Sequence, residues 1–101
     1  MIASGQYFLD DGTNIRIGCA KDIERRLREH QSSNKNIKLV AIVPTDPKEI
    51  FDEEKKAFNH FQDYKLPKTG SGESFYSRDI LNKIPGYVQD RLLDRANLLN
   101  T

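Results

Sequence analysis

The sequence has only one cysteine, no long apolar run and no N-terminal signal-like segment. Its single cysteine, Cys19, cannot form an internal disulfide, and with no second cysteine or close histidine it is a poor zinc ligand. We expect Cys19 to be a small buried residue after Gly18. The longest apolar run, KLVAIVP, is far shorter than the roughly 18 residues that cross a bilayer, and the N-terminus lacks a basic segment followed by an apolar one. These absences predict a cytoplasmic protein with no membrane segment.

An excess of one charge is also missing. The net charge of +1 gives no overall indication of nucleic-acid binding, so any basic surface must come from local clustering. What is present is typical of a globular fold, since 37% of the 101 residues are hydrophobic and 31% are charged. A chain of this length forms a single modest core. We therefore expect one domain over residues 1–101.

The first two β-prone runs, QYFL and NIRIG, are separated by the residues DDGT. The dipeptide Asp11-Gly12 favours a two-residue hairpin turn, because both central residues of such a turn have positive φ. The predicted cross-strand pairs are Leu9 with Asn14, Phe8 with Ile15, and Tyr7 with Arg16. In this register Phe8, Ile15 and Ile17 share one face of the hairpin, and Tyr7 and Arg16 share the other. A longer loop would shift the register.

The remaining elements alternate between helix and strand. The pattern predicts a helix over about residues 21–30, ended by SSNKN, and then a buried strand, IKLVAIV, at the centre of the sheet. Asp46, Pro47 and Glu49 predict the start of a second helix that runs to about Asp63. After an irregular loop, FY is a short extended piece, and RDILNKI is a short helix stopped by Pro85. A terminal helix follows.

An arginine and a histidine lie on the apolar side of the first helix. At about 100° per residue, His30 lies about 20° and Arg26 about 60° from Ile23. Burying an unpaired guanidinium costs several kcal/mol, so an arginine beside an apolar stripe implies an anionic partner. That partner is either internal or a ligand.

The second helix repeats this pattern with the opposite sign. Its apolar arc consists of Ile50, Phe51, Ala57, Phe58 and Phe61. Glu54 lies inside the arc, about 40° from Ile50, whereas Asp52 and Glu53 fall outside it. Two interpretations are open: Arg26 and Glu54 form a buried ion pair, or the carboxylate holds a divalent metal and the arginine holds a phosphate across one cleft.

The order of short motifs resembles the GIY-YIG nuclease superfamily. GQY at residues 5–7 is followed by RIG at residues 16–18, and Arg26 lies eight residues beyond that glycine. Glu54 falls where the superfamily keeps its metal-binding glutamate, in a helix after the third strand. The sequence is most similar to a phage-type branch with a KIG-like second motif, including the stretch EKKAFNHFQDYK and the later GESFY. The resemblance covers roughly residues 5–80.

The resemblance implies an α+β fold, with a small three-stranded antiparallel sheet formed by the N-terminal hairpin plus one central strand and flanked by helices. A C-terminal helix is added over about residues 86–100. The implied activity is that of a DNA endonuclease or nickase that hydrolyses phosphodiester bonds with one Mg²⁺ or Mn²⁺ per site. Beyond this core no separate DNA-reading module is evident, so target choice would come from a protein partner or be largely absent.

The same resemblance assigns roles to individual residues. Glu54 would hold the metal, with water and phosphate completing its shell, and Arg26 would stabilise charge on the scissile phosphate. Tyr7 would orient or deprotonate the attacking water, helped by the positive charges of Arg16 and Arg26, which favour a phenolate. His30 occupies the position at which the superfamily has a histidine, one helical turn after its catalytic arginine. A local basic surface would add DNA contacts through Lys21, Arg25, Lys35 and Lys38.

The sequence departs from the family pattern at several positions. Arg16 replaces the tyrosine of the second motif, and Phe58 and Lys65 stand where the branch often has histidine and arginine. Asn82 is a weak candidate for the late asparagine of the family. These departures support a second hypothesis, in which a nuclease-like fold no longer cuts and instead binds nucleic acid or a protein partner.

Overall fold

The computed structural model describes residues 3–67 and 74–99, which form a four-stranded antiparallel sheet with helices on both faces. The strands are β1 (Gly5–Asp10), β2 (Ile15–Ala20), β3 (Lys38–Pro44) and β4 (Phe75–Tyr76), in the spatial order β3-β1-β2-β4. The helices are α1 (Ile23–Ser33), α2 (Ile50–His60) and α3 (Ile84–Leu99), with short 3-10 turns at Gln62–Tyr64 and Arg78–Ile80. Within the described ranges, no helix combines the length and apolar content of a membrane span.

The α+β class is confirmed, but two predictions about the sheet were wrong. The sheet has four strands rather than three, because the extended piece FY pairs with β2 at Ile15 and Arg16. The predicted central strand, β3, is an edge strand beside β1. The strand is rich in apolar residues because side chains on both of its faces pack against a core, and not because it lies at the centre of the sheet. Ile42 packs into the core on the α1 side, while Val40 and Ala41 pack against the opposite core.

The hairpin register also differs from the prediction, by two residues. Tyr7 pairs with Gly18 and Phe8 with Ile17, because the loop spans residues 11–14 rather than two residues. The Asp11 carboxylate stabilises this longer loop by accepting hydrogen bonds from the backbone N–H groups of residues 13 and 14, at 2.8 and 2.7 Å. Since a shift of two preserves the alternation of a strand, the predicted division of side chains between the two faces still holds.

Each face of the sheet has its own apolar core. Under α1 the buried members are Tyr7, Leu9, Ile23 and Ile37. On the opposite face the buried members are Phe8, Ile15, Ile17, Ala57, Phe61, Tyr76, Ile80, Ile84 and Tyr87. The sheet therefore separates α1 from α2 and α3, so residues from the two sides can meet only at an edge.

The helix boundaries follow local capping. The Asp22 side chain accepts a hydrogen bond from the N–H of Arg25 at 3.0 Å, so α1 begins at Ile23 rather than at residue 21, and it continues to Ser33. The prediction that Pro85 stops a helix was wrong. Pro85 lies in the first turn of α3, where its missing N–H leaves no helical hydrogen bond unmade.

Candidate active site

An open cleft of about 310 Å³ lies along the outer edge of β2. In the described chain β4 pairs with β2 only at Ile15 and Arg16, so the later part of β2 is left without a strand neighbour on that side. Here α1 and α2, which cover opposite faces of the sheet, both contribute side chains. The cleft is lined by Tyr7, Arg16, Ile17, Gly18, Cys19, Arg26, His30, Glu54, Phe58 and Ser74. It therefore brings together all five residues that the sequence analysis assigned to catalysis or metal binding.

Gly18 allows Tyr7 to reach the cleft. The two residues are cross-strand partners, and the tyrosine ring lies directly over the glycine. A Cβ atom at position 18 would lie 2.5 Å from the Tyr7 hydroxyl oxygen and 2.6 Å from the ring carbon that bears it. No real Cβ tolerates such a contact, so a side chain at position 18 would displace the phenol. This close approach gives the glycine of the second motif a physical reason.

The Tyr7 hydroxyl is hydrogen-bonded to the side chain of Arg26. Burial raises the pKa of Tyr7, and the hydrogen bond and charge of Arg26 offset only part of that rise. Arg26 thus favours the phenolate, as expected, but burial outweighs it and the net pKa is raised, and Arg16 is not among the groups that lower the pKa of Tyr7. In this structure Tyr7 is a neutral hydroxyl at physiological pH.

Arg16 contacts groups of the hairpin loop, of β4 and of α1. Its Nε atom donates to the Asp11 carboxylate at 3.2 Å, and its guanidinium lies 4.9 Å from the centre of the Phe75 ring. Its Nη1 atom lies 3.5 Å from Nδ1 of His30, a buried residue that also makes an edge-to-face contact with Tyr7. Arg16 thus connects the hairpin loop to the face of α1 that carries His30.

Arg26 lies at the mouth of the cleft rather than in the core. Its side chain is 44% exposed and makes an ion pair with Glu29 at 3.2 Å, in addition to its bond with Tyr7. This exposure contradicts the interpretation in which Arg26 forms a buried ion pair. The guanidinium is instead placed where an anion entering the cleft would meet it.

Glu54 approaches the cleft from α2, and its partner is Cys19. The thiol of Cys19 donates a hydrogen bond to the half-buried carboxylate, and burial raises the pKa of Glu54. Burial, together with the charge and hydrogen bond of Glu54, raises the pKa of Cys19 to about 12, so the thiol stays protonated. The prediction that Cys19 is a small buried core residue was wrong, because it is half-buried and lines the cleft.

A comparison with known protein families bears on this arrangement. The profile of the T5orf172 domain matches residues 4–95, which is almost the whole chain and contains every residue that lines the cleft. The chain belongs to the T5orf172 domain family. This is a phage-associated, nuclease-like domain related to endonucleases of the GIY-YIG and HNH types. Searches of curated proteins and of solved structures gave no significant match.

In this T5orf172 domain Glu53, the acidic residue just before Glu54 on α2, has a structural role. The sequence analysis placed Glu53 outside the apolar arc, but its side chain is only 1% exposed. Arg91 binds it in a bidentate manner at 2.6 and 3.0 Å, and Arg95 adds a bond at 3.2 Å. Phe51, predicted to lie in the arc, is 69% exposed. Glu53 therefore anchors α3 to α2, and Glu54, one residue later, faces the cleft.

The sequence analysis did not predict several residues of the site. Gly18 was noted only as part of a motif, while Cys19, Phe58 and Ser74 were given no place in a site. Phe58 borders the cleft, at the position where the related branch often has histidine. Its ring stacks on that of Tyr76, with 6.2 Å between the ring centres. Asn82 does not line it, and Gly72 and Glu73 of the GESFY stretch lie outside the described residues.

The predicted basic surface does not converge on the cleft. The side chains assigned to it are exposed, and none lines the cleft: Lys21, Arg25, Lys35 and Lys38. Lys38 begins β3, at the edge of the sheet opposite β4.

The residues of the cleft would suit a hard cation such as Mg²⁺ or Mn²⁺ better than a soft metal that needs thiolate ligands. Among the described residues there is no cluster of three or more histidine, cysteine or acidic side chains, so a closed protein cage is not formed. Mg²⁺ does not require one, since it is commonly held by one or two carboxylates with water and substrate phosphates. Glu54 offers such a carboxylate, and the protonated thiol of Cys19 offers little to a soft metal.

Proposed function

We propose that this T5orf172 domain is a metal-dependent endonuclease of the GIY-YIG type that cuts or nicks DNA. The observation that carries the proposal is the convergence of Tyr7, Arg26 and His30 from one face of the sheet with Glu54 from the other, at a single open edge. A stability role does not require a tyrosine, an arginine and an acid to meet at a solvent-open cleft. Cleavage of a phosphodiester requires both charge stabilisation and positioning there.

Each residue has a definite task in this proposal. Arg26, exposed at the mouth, binds the scissile phosphate and stabilises the negative charge that develops on it. Tyr7 is held by Arg26 and remains protonated, so its O–H orients the attacking water by a hydrogen bond and does not act as the base. His30 packs against the ring of Tyr7 and is itself in contact with Arg16, so the two residues fix the position of the tyrosine.

Glu54 would hold Mg²⁺ or Mn²⁺ in this cleft. The ion supplies Lewis-acid stabilisation of phosphate charge when it is bound. Glu54 is suited to this because its carboxylate is half-buried and, within the described chain, takes its hydrogen bond from a neutral thiol rather than from a cation. Because burial disfavours the charge of this carboxylate, a bound cation would stabilise its ionised form.

The direct test uses purified protein and end-labelled DNA as duplex, branched and single-stranded substrates. We expect products with Mg²⁺ or Mn²⁺ and none with EDTA. Arg26→Ala should lose activity, whereas Arg28→Ala, a change to another exposed arginine of the same helix, should retain it. Absence of cutting in both metals on every substrate would overturn the proposal.

A second candidate function is favoured by Arg16. This arginine stands where the GIY-YIG superfamily pattern has a tyrosine, and it contacts Asp11 and Phe75. A domain without that tyrosine could bind nucleic acid, or a protein partner, without turnover. The candidate predicts DNA binding that weakens steeply as salt rises, with no product in any metal. An absence of binding to all nucleic acids would direct attention to a protein partner.

A further inference from the structure

The flank of α2 beside the cleft carries an exposed aromatic ring. Phe51 is 69% exposed, the largest fraction among the exposed large apolar side chains of the described chain, and it is the one aromatic residue in that group. The others are aliphatic: Leu39, Leu92 and Leu93. In the described chain Phe51 makes none of the ring contacts that join the other phenylalanines to neighbouring aromatic or cationic groups. Its ring therefore presents open faces to solvent.

The helical phase places this ring next to the site. Phe51 precedes Glu54 by three residues and Phe58 by seven, so at about 100° per residue it lies about 60° from the first and about 20° from the second. Residues three apart on a helix are neighbours on its surface. Both Glu54 and Phe58 line the cleft. Phe51 is thus on the same flank of α2, one turn before the acid.

A lysine accompanies the ring. Lys55 follows Phe51 by four residues, about 40° away on the helix surface. It is exposed, and the described residues give it no ion pair. An open aromatic face with an available cation one turn away is the combination that binds single-stranded nucleic acid, where bases stack on aromatic rings and lysines contact phosphates.

We propose that Phe51 and Lys55 form a subsite for an unpaired nucleotide of the DNA substrate, next to the phosphate held in the cleft. The proposal rests on the proposed function and narrows its substrate class to DNA with an unpaired segment at the cut. A duplex presents base edges and its sugar-phosphate backbone, so a ring fixed on a helix finds a base face to stack on only where the base is unpaired. The lysine then contacts the next phosphate of the same strand.

The test measures binding of one labelled strand, alone and annealed as a blunt duplex, by fluorescence anisotropy in EDTA. Phe51→Ala should weaken binding of the single strand roughly tenfold or more and that of the duplex by no more than about twofold. Phe51→Tyr keeps the ring and should bind as the original protein does. Phe51→Leu keeps an apolar side chain without the ring and should behave as the alanine variant.

One control variant and one further test variant complete the design. Leu93→Ala removes another exposed apolar side chain, one that lies on α3, and should leave both affinities unchanged. Lys55→Gln should reduce the slope of log affinity against log salt by about 0.7 for the single strand. Thermal melting of every variant verifies that α2 is intact.

The outcomes separate this inference from the proposed function. If the protein cuts DNA but Phe51→Ala binds the single strand as tightly as the original, the subsite does not exist and the nuclease proposal stands. If Phe51→Leu retains full affinity, the contact is not stacking and the inference is overturned. If the original protein neither binds nor cuts any DNA, the proposed function fails, and the subsite fails with it.

Discussion

Two adjacent acids of α2, changed in the same way, should give opposite results. Glu53 is 1% exposed and is bound by two arginines of α3, whereas Glu54 is half-buried and faces the cleft. We predict that Glu53→Gln destabilises the fold without removing the chemistry of the molecules that remain folded. Glu54→Gln should abolish the activity and leave the stability unchanged or slightly increased.

The magnitude follows from the geometry. Breaking a buried ion pair by removing one partner costs about 3–5 kcal/mol, because the other charge stays buried. The Gln side chain keeps part of the hydrogen bonding to Arg91, so we take the lower end, about 3 kcal/mol. For a domain of this size, that loss lowers the melting temperature by about 12–24 °C. Glu54→Gln removes a carboxylate whose charge is disfavoured by burial, so its melting temperature should not fall.

The pH dependence of the two acids differs in sign. Burial alone would raise the pKa of Glu53, but the hydrogen bond and charge of Arg91, with Lys56 and Arg95, hold it below the ordinary value of 4.5. Its contribution to stability is therefore full above pH 4.5 and is lost as the pH falls through the lower pKa of the folded state. The pKa of Glu54 is raised, so its charge reduces stability at neutral pH, and that penalty is relieved as the pH falls.

The assay is calorimetry or circular dichroism across pH 3 to 8, a span of about five units, with DNA cleavage measured well below each melting temperature. Equal melting temperatures for Glu53→Gln and the original protein would refute the assignment of Glu53 as the anchor of α3. A large fall for Glu54→Gln would show that the carboxylate has a structural role and would undermine its place in the site.

Three further outcomes are expected. Arg26→Ala should keep its melting temperature within about 4–8 °C, because the side chain is 44% exposed, and should lose at least about a hundredfold in cleavage, whereas Arg28→Ala loses little. Gly18→Ala should reduce cleavage strongly, because its Cβ displaces the Tyr7 phenol, and a crystal structure should show the ring moved; an unmoved ring would contradict this. Cys19, with a pKa of about 12, should react slowly with iodoacetamide at pH 8 in the folded protein, and fast alkylation would show that the thiol is not held by its neighbour.

The side of its own element on which each of several site residues lies was predictable, because this depends on local periodicity. Strand alternation placed Tyr7 and Arg16 on one face, and helical phase placed His30 on the buried side of α1 and Glu54 toward the sheet. These relations hold within single elements and survive errors in loop length. The two-residue shift of the hairpin left them intact for the same reason.

Features that depend on distant segments could not be predicted from the sequence. The burial of Glu53 depends on Arg91, which lies 38 residues later and would itself pass as a surface residue. The strand β4 has only two residues, so it is recognised by its pairing with β2 and not by the strand propensity of its own sequence. The role of Cys19 likewise appears only when α2 brings Glu54 to the edge of β2.

The central claim is that the cleft cuts DNA through a metal held by Glu54. The most direct measurement compares the original protein with Glu54→Gln in nicking of supercoiled plasmid, with Mg²⁺ added and then removed by EDTA. We expect nicking that requires Mg²⁺, is abolished by EDTA, and is lost in Glu54→Gln while that variant remains folded. Nicking by Glu54→Gln at the rate of the original protein would show that Glu54 does not hold the metal that cleavage needs.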